Sequence, residues 1–218
     1  MKHMTPRRLL GLATLAAALA SCTPPGGPIE VPPEAKVHKA KWVNPHPPGT
    51  YAHFKAANYP KTSKVFKNKD VLSRTNSSNS SLVISLSKQR AFLMNGDEIA
   101  IDYPVSTGKK SHPTPPGTYY IKEKIKDKRS NLYGKIYNSS GKVVNSDADA
   151  RKDKVPSGGK FVGASMPYWM RFTNGGIGHH VGRVPRYPAS HACIRGQSGI
   201  MPTIFSKVKV GTKATVVK

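Results

Sequence analysis

A mostly β domain of about 140 residues is the architecture this sequence predicts, with one or two short helices and a Pro-rich tether ahead of it. Three observations carry that expectation. The 218-residue chain holds 19 Gly and 19 Pro, a density of turn-formers that argues against long helical repeats. Apolar residues make up 37%, enough for one core. From Ser81 onward, short runs of β-forming residues alternate with Asn/Gly turn signals, the pattern of strands joined by hairpins.

The elements follow in order. Residues 81–86 (SLVISL) read as a strand and residues 89–94 (QRAFLM) as a second. Asn95-Gly96 between them and the next run is the strongest short hairpin signal. Residues 97–105 alternate apolar and polar side chains, as a half-buried strand does. Residues 117–125 and 135–137 read as further strands, and residues 138–141 (NSSG) supply a turn before residues 142–144. Residues 170–173 and 177–181 flank a turn at Asn174-Gly175. Ile200, Met201, Ile204, Phe205 and Val208 recur at helical spacing, with Pro202 suited to the first turn. Residues 212–218 close the chain as a strand.

Lys and Arg outnumber Asp and Glu 35 to 11, a net charge of +24. Such a charge asks for a polyanionic partner: nucleic acid, an anionic membrane surface or an acidic polymer. No nucleic-acid-binding motif is present. Two Cys exclude a disulfide scaffold and a four-Cys zinc site.

The first 21 residues read as an export signal. Lys2, Arg7 and Arg8 precede an apolar run over residues 9–20, shorter than the roughly 20 residues a membrane span takes. Leu19-Ala20-Ser21-Cys22 resembles the lipobox of bacterial lipoproteins, in which cleavage precedes the Cys and its thiol is acylated. The resemblance implies a lipid anchor on Cys22 and an exported, membrane-anchored protein facing the periplasm or cell wall. Thr23, rather than Asp, after the Cys favours the outer membrane by the same resemblance. Residues 22–80 are expected to be a Pro-rich tether followed by an N-terminal extension, with Tyr51, Phe54, Tyr59 and Phe66 as candidates to pack on the domain. The Ser/Asn run over residues 73–81 marks the boundary of a domain spanning residues 81–218.

The chemistry concentrates in residues 176–195 (GIGHHVGRVPRYPASHACIR). Lipidation of Cys22 leaves Cys193 as the sole thiol, set among three His and several Arg. A Cys turns nucleophile where an imidazole, a cation or a backbone dipole supports its thiolate. His180, 13 residues upstream at a strand end, can fold back onto it. Three readings stand side by side: a buried Cys with satisfied His residues, a zinc site from His179 or His180 with His191 and Cys193, and a Cys–His acyl-transfer site. Neighbouring His on a strand face opposite sides, which weighs against the zinc site. No nearby Glu offers a base for zinc hydrolysis.

Ser190-His191-Ala192-Cys193-Ile194-Arg195 closely resembles the Ser/Thr-His-Gly-Cys-x-Asn/Arg signature of the L,D-transpeptidase (YkuD-type) catalytic domain. The family's upstream His falls on His180. Residues 106–117 (STGKKSHPTPPG) look like its STG…TPxG loop, residues 166–172 like the segment entering the His strand, and residues 81–92 like its first strand pair. The resemblance covers residues 81–218 and implies an L,D-transpeptidase-type β-sandwich.

It further implies ping-pong acyl transfer on peptidoglycan stem peptides, with no cofactor and no metal. Cys193 attacks, His180 is general base and then general acid, and an amine resolves the thioester into a 3–3-type crosslink or an attachment. The backbone N–H groups of Ala192 and Cys193 are candidate oxyanion donors. His191 orders the loop, Arg195 holds a substrate carboxylate or fixes the loop, and Gly182 and Ser190 shape the turn. A backbone carbonyl commonly orients the catalytic His. Tyr168 and Trp169 are candidates to line the cleft; His179 is the opposite-facing neighbour. A reactive Cys193 is expected to take up a carbapenem-type β-lactam. Ala192 stands where the family usually has Gly, which at φ > 0 costs about 1–2 kcal/mol, so activity is expected to be altered rather than lost. The alternatives are an L,D-carboxypeptidase or endopeptidase with water as acceptor, and a non-catalytic peptidoglycan-binding lipoprotein.

Overall fold

The computed structural model describes residues 42–218. The export segment, Cys22 and most of the Pro-rich stretch lie outside the described residues. The compact unit runs from Val43 to Lys218. It opens with α1 (Tyr51–Ala56), the short strand β1 (Phe66–Lys67) and α2 (Lys69–Arg74). Strands β2 (Ser80–Ser85), β3 (Arg90–Asn95) and β4 (Glu98–Ser106) form a meander, followed by β5 (Gly117–Tyr120) and β6 (Glu123–Ile125). β7 (Arg129–Tyr137), β8 (Val143–Asp149) and β9 (Lys160–Ser165) make a separate three-stranded sheet in the order β8-β7-β9. The chain ends with β10 (Trp169–Arg171), β11 (Gly178–Val181), β12 (Ile194–Gly196), α3 (Met201–Lys207) and β13 (Lys213–Val217).

β4 organises the larger sheet. Along most of its length it pairs antiparallel with β3. On its other edge it takes β1, at Ile101 and Asp102, and then β12, at Val105 and Ser106. One wing therefore runs β5-β13-β2-β3-β4 and the other β12-β11-β10-β6, joined through β4. Leu82, Ile84, Leu93, Met170 and Ile194 from the two wings share one core with Met201 and Ile204 of α3. A sheet closing over its own apolar face, as in a sandwich, is how a mostly β chain buries one side of every strand.

The run over 97–105, expected to be half-buried, is buried from Ala100 to Ser106. The reason is a second cover. Tyr51, Phe54, Tyr59 and Phe66 form one aromatic cluster. Beneath it Arg90 and Asp102, both wholly buried, form an ion pair. Tyr51 donates to Asp102 at 2.8 Å, and Arg90 donates onward to the carbonyls of Thr62 (2.8 Å) and Lys64 (3.0 Å). The extension is thereby held to this pair by three hydrogen bonds.

Other differences are local. Asn95 pairs with Glu98, so the hairpin loop is Gly96-Asp97, one residue later than the Asn-Gly signal, with Gly96 at φ +57°. The run over 117–125 breaks in two because β5 pairs with β13 and β6 with β10, which takes the chain from one wing to the other. β9 carries no sequence signal, and β7 starts six residues before the predicted strand. Ile136 and Ala148 are the only core-grade side chains of the small sheet among the described residues, so its apolar periodicity is weak. Gly163 lies against the carbonyl of Ser130, where a Cβ would stand 1.9 Å from the oxygen. α3 forms where the helical spacing placed it, with Pro202 in its first turn.

Candidate active site

β11 and β12 run parallel and adjacent, with His180 opposite Arg195. The loop between them is laced onto the segment after β4. Ala189 and Ser190 N–H both donate to the Thr107 carbonyl (2.9 and 3.0 Å), and Lys109 N–H donates to Ser190 O at 2.9 Å. The Ser190 hydroxyl, buried, donates to the Cys193 carbonyl. Thr114 accepts from Gly108 N–H at 2.8 Å and donates to Ala192 O at 2.8 Å. Ala192 sits at φ +69°, the left-handed region that favours Gly. Thr114 thus ties the loop after β4 to the residue before the thiol. Among the described residues, no hydrogen bond engages the backbone N–H of Ala192 or Cys193.

The two neighbouring His face opposite ways. His179, fully buried, meets the Ile194 carbonyl through Nδ1 (2.8 Å) and the Tyr103 hydroxyl through Nε2 (3.0 Å). That commitment removes it from any ligand set with His191 and Cys193. His180 Nδ1 lies 2.7 Å from the Val181 carbonyl. A carbonyl only accepts, so Nδ1 carries the proton and Nε2 holds the lone pair. Val181 O is thus the orienting carbonyl, which the sequence leaves unidentified. Burial lowers both imidazoles to about 4, against carbonyl hydrogen bonds that act the other way, so both are neutral at pH 7.

The Cys193 thiol is half-buried and lies 3.7 Å from the Gly176 carbonyl. Burial pushes it up; a hydrogen bond from the Gly178 backbone and the Arg195 charge pull the other way. The resting pair is therefore a neutral thiol and a neutral imidazole.

Cys193 separates two open cavities. One, of about 260 Å³, is lined by His180, Gly182, Arg183, Ser190 and Arg195 as well as Cys193. The other, of about 390 Å³, lies toward Gly176 and is lined by Trp169, Arg171 and Lys128 among others. His191, Tyr133 and Met166 border both. His191 stacks on Tyr133 of β7, ring centroids 4.5 Å apart, and meets His112 edge-on at 4.8 Å. The β7–β9 sheet thus supplies a wall of the site. No sequence signal pointed to Tyr133 or Met166 as site residues.

Gly182 leaves room for Arg195: a Cβ there would stand 2.9–3.2 Å from the Arg195 side chain. Trp169 is buried beside His180, ring centroids 5.9 Å apart, and borders the larger cavity. Tyr168 is a correction: its ring packs edge-on against Phe205 of α3, 5.5 Å between centroids, rather than into the cleft. Tyr168 precedes β10 at φ +57°, which takes its side chain away from the direction that Trp169 follows on the strand. Cys22 lies outside the described residues. Among those residues, no group of three His, Cys, Asp or Glu is placed to hold a metal ion.

A family profile described as the L,D-transpeptidase catalytic domain, YkuD, matches residues 79–217. Solved structures similar to this one include an L,D-transpeptidase from Mycobacterium smegmatis (20% identity, 64% of this chain and 59% of that one, TM-score 0.49). Others are one from Stackebrandtia nassauensis (16%, 69% and 62%, 0.46) and one from Xylanimonas cellulosilytica (18%, 66% and 62%, 0.48). The chain spans about three fifths of the length of these structures. No curated protein matches. The assignment of family rests on the profile.

Proposed function

The chain belongs to the L,D-transpeptidase catalytic domain family, and on that premise we propose that it is a peptidoglycan L,D-transpeptidase acting through a Cys193 thioester. The observation that carries this reading is that Cys193 and His180 open onto one cavity while His180 Nδ1 is committed to Val181 O. Only Nε2 is left to move a proton at the thiol.

The Cys193 sulfur attacks the carbonyl carbon of the L-centre of the stem's diamino acid as Nε2 of His180 takes the thiol proton. Because both groups are neutral at rest, proton transfer accompanies attack instead of preceding it. The N–H groups of Ala192 and Cys193 receive the oxyanion. Collapse breaks the bond to the terminal D-residue, whose amine leaves with the proton from His180, and a thioester remains. A second stem's amine then attacks that carbonyl and gives its proton to His180. The sulfur departs, recovers the proton, and a 3–3-type crosslink is formed. Arg195, opposite His180 and on the same cavity wall, supplies charge for a substrate carboxylate. In this reading Cys22 bears the lipid anchor, and the Pro-rich stretch spaces the catalytic unit from the membrane in the periplasm or at the cell wall.

Intact-protein mass spectrometry with purified stem tetrapeptide tests the reading, with Cys193→Ala as control. A Cys193-dependent acyl adduct and a crosslinked product are expected. A tripeptide product alone would make water the acceptor and the protein a carboxypeptidase. With folded protein, absence of an adduct from both the stem and a carbapenem-type β-lactam would leave a non-catalytic wall-binding lipoprotein.

A further inference from the structure

Of the two cavities that meet at Cys193, His180 borders the smaller. In the reaction proposed above, His180 gives a proton to the leaving amine and takes one from the incoming amine. Both amines therefore pass on the His180 side. The acyl half of the donor, retained as the thioester, is left with the larger cavity toward Gly176.

That cavity is unevenly charged. Its walls carry Lys128, Arg151 and Arg171 against one carboxylate, Glu123. Glu123 is already engaged by Trp169 Nε1 at 3.0 Å and by Arg171 at 3.1 Å. Arg151 is held by Asp149 and by the Tyr133 hydroxyl. Lys128 has no side-chain hydrogen bond or ion pair among the described residues. Arg171 Nε is buried without a partner. A buried guanidinium N–H that no protein group satisfies is a donor awaiting an acceptor.

We propose that this cavity reads a free carboxylate on the acyl half of the donor stem, with Lys128 and Arg171 as the specificity-determining residues. The inference rests on the transpeptidase reading. A carboxylate offers acceptors and a negative charge to these donors. A carboxamide in its place loses the charge and turns N–H groups toward N–H groups, so the site's donors go unpaired. Two carboxylates of the acyl half have this chemistry: the α-carboxylate of the glutamyl residue and the one on the distal carbon of the diamino acid.

The test follows release of the terminal D-residue by the full chain from three tetrapeptides: one with both carboxylates free, one amidated at the glutamyl residue, one amidated at the diamino acid. The free stem is expected to show about tenfold higher kcat/KM than one of the amidated stems, and which one identifies the carboxylate. The preference should shrink at high salt, since Arg171 is partly exposed. Lys128→Gln and Arg171→Gln should each lower it through a higher KM for the free stem, while Arg171→Lys retains it. Equal turnover of all three stems, or a preference untouched by both Gln variants, would overturn the inference and leave the transpeptidase reading standing. Failure of every stem to lose its D-residue would sink both. Carbapenem-type acylation of Cys193 in each variant shows that the nucleophile is intact.

Discussion

The Thr114 hydroxyl donates to the Ala192 carbonyl at 2.8 Å while accepting from Gly108 N–H at 2.8 Å. One side chain, 4% exposed, thus joins the loop after β4 to the residue that precedes Cys193.

Thr114→Val should break both links and strand the Gly108 N–H, at a cost of about 1–3 kcal/mol. Denaturant unfolding reads that cost. The rate of Cys193 acylation by a β-lactam should fall with it, and Thr114→Ser should restore both. Acylation at the wild-type rate in the Val variant would show that the clamp does not position Cys193.

Ala192 at φ +69° and Gly108 make opposite predictions. Ala192→Gly relieves about 1–2 kcal/mol of backbone strain, offset by about 0.5–1 kcal/mol of extra chain entropy. A slightly raised unfolding midpoint is expected, with acylation retained. Gly108→Ala places a Cβ 2.2 Å from the His112 carbonyl, 2.7 Å from Thr114 N and 2.8 Å from Ala192 Cα. All three are backbone atoms, so the loop must move, and loss of acylation is expected. A lowered midpoint for Ala192→Gly would mean that the Ala methyl packs usefully.

Stability should fall as pH drops from about 6.5 toward 4. His179 and His180 are held at about 4 in the folded chain, below the ordinary imidazole value of 6.5. Between these limits the unfolded chain binds more protons, so each group removes up to about 1.4 kcal/mol per pH unit. Urea titrations at pH 7, 6 and 5 measure the slope. A flat profile would contradict the neutral buried pair.

In the proposed reaction, the shifts at His180 and Cys193 shape the rate of thioester formation. Neutral His180 persists well below the ordinary imidazole range, and the Cys193 thiol is pushed up by burial. Acylation should therefore reach its plateau on the acid side of pH 6.5 and hold it through neutrality. An acid limb centred at or above 6.5 would contradict the lowered His180 value.

Arg90→Met should release the extension. It leaves Asp102 charged and unpaired in a fully buried site and strips the Thr62 and Lys64 carbonyls of their donor. Breaking one partner of such a pair costs about 3–5 kcal/mol. Limited proteolysis between residues 59 and 67 is the readout. Equal resistance in wild type and variant would show that the aromatic cluster alone holds the segment.

The Cys–His constellation was legible in the sequence because its members lie close together: Ser190, His191, Cys193 and Arg195 fall within six residues, and His180 closes one strand away. The strands of the main sheet were legible because alternating side chains mark a surface with one buried face. Other parts were not, for a common reason. Which of His179 and His180 borders the cleft depends on the phase of a strand against its sheet; a slip of one residue would exchange them. That Val181 O orients His180 and that Tyr133 stacks on His191 are outcomes of pairings between distant segments. The β7–β9 wall buries little, so its sequence carries no period to read. The Arg90–Asp102 pair has the polar spacing of an exposed face, and only the extension folding over it makes it interior. Local chemistry marked Cys193 and His180 as the candidate pair; long-range register and burial decided the tautomer, the walls of the cleft and the charge around it.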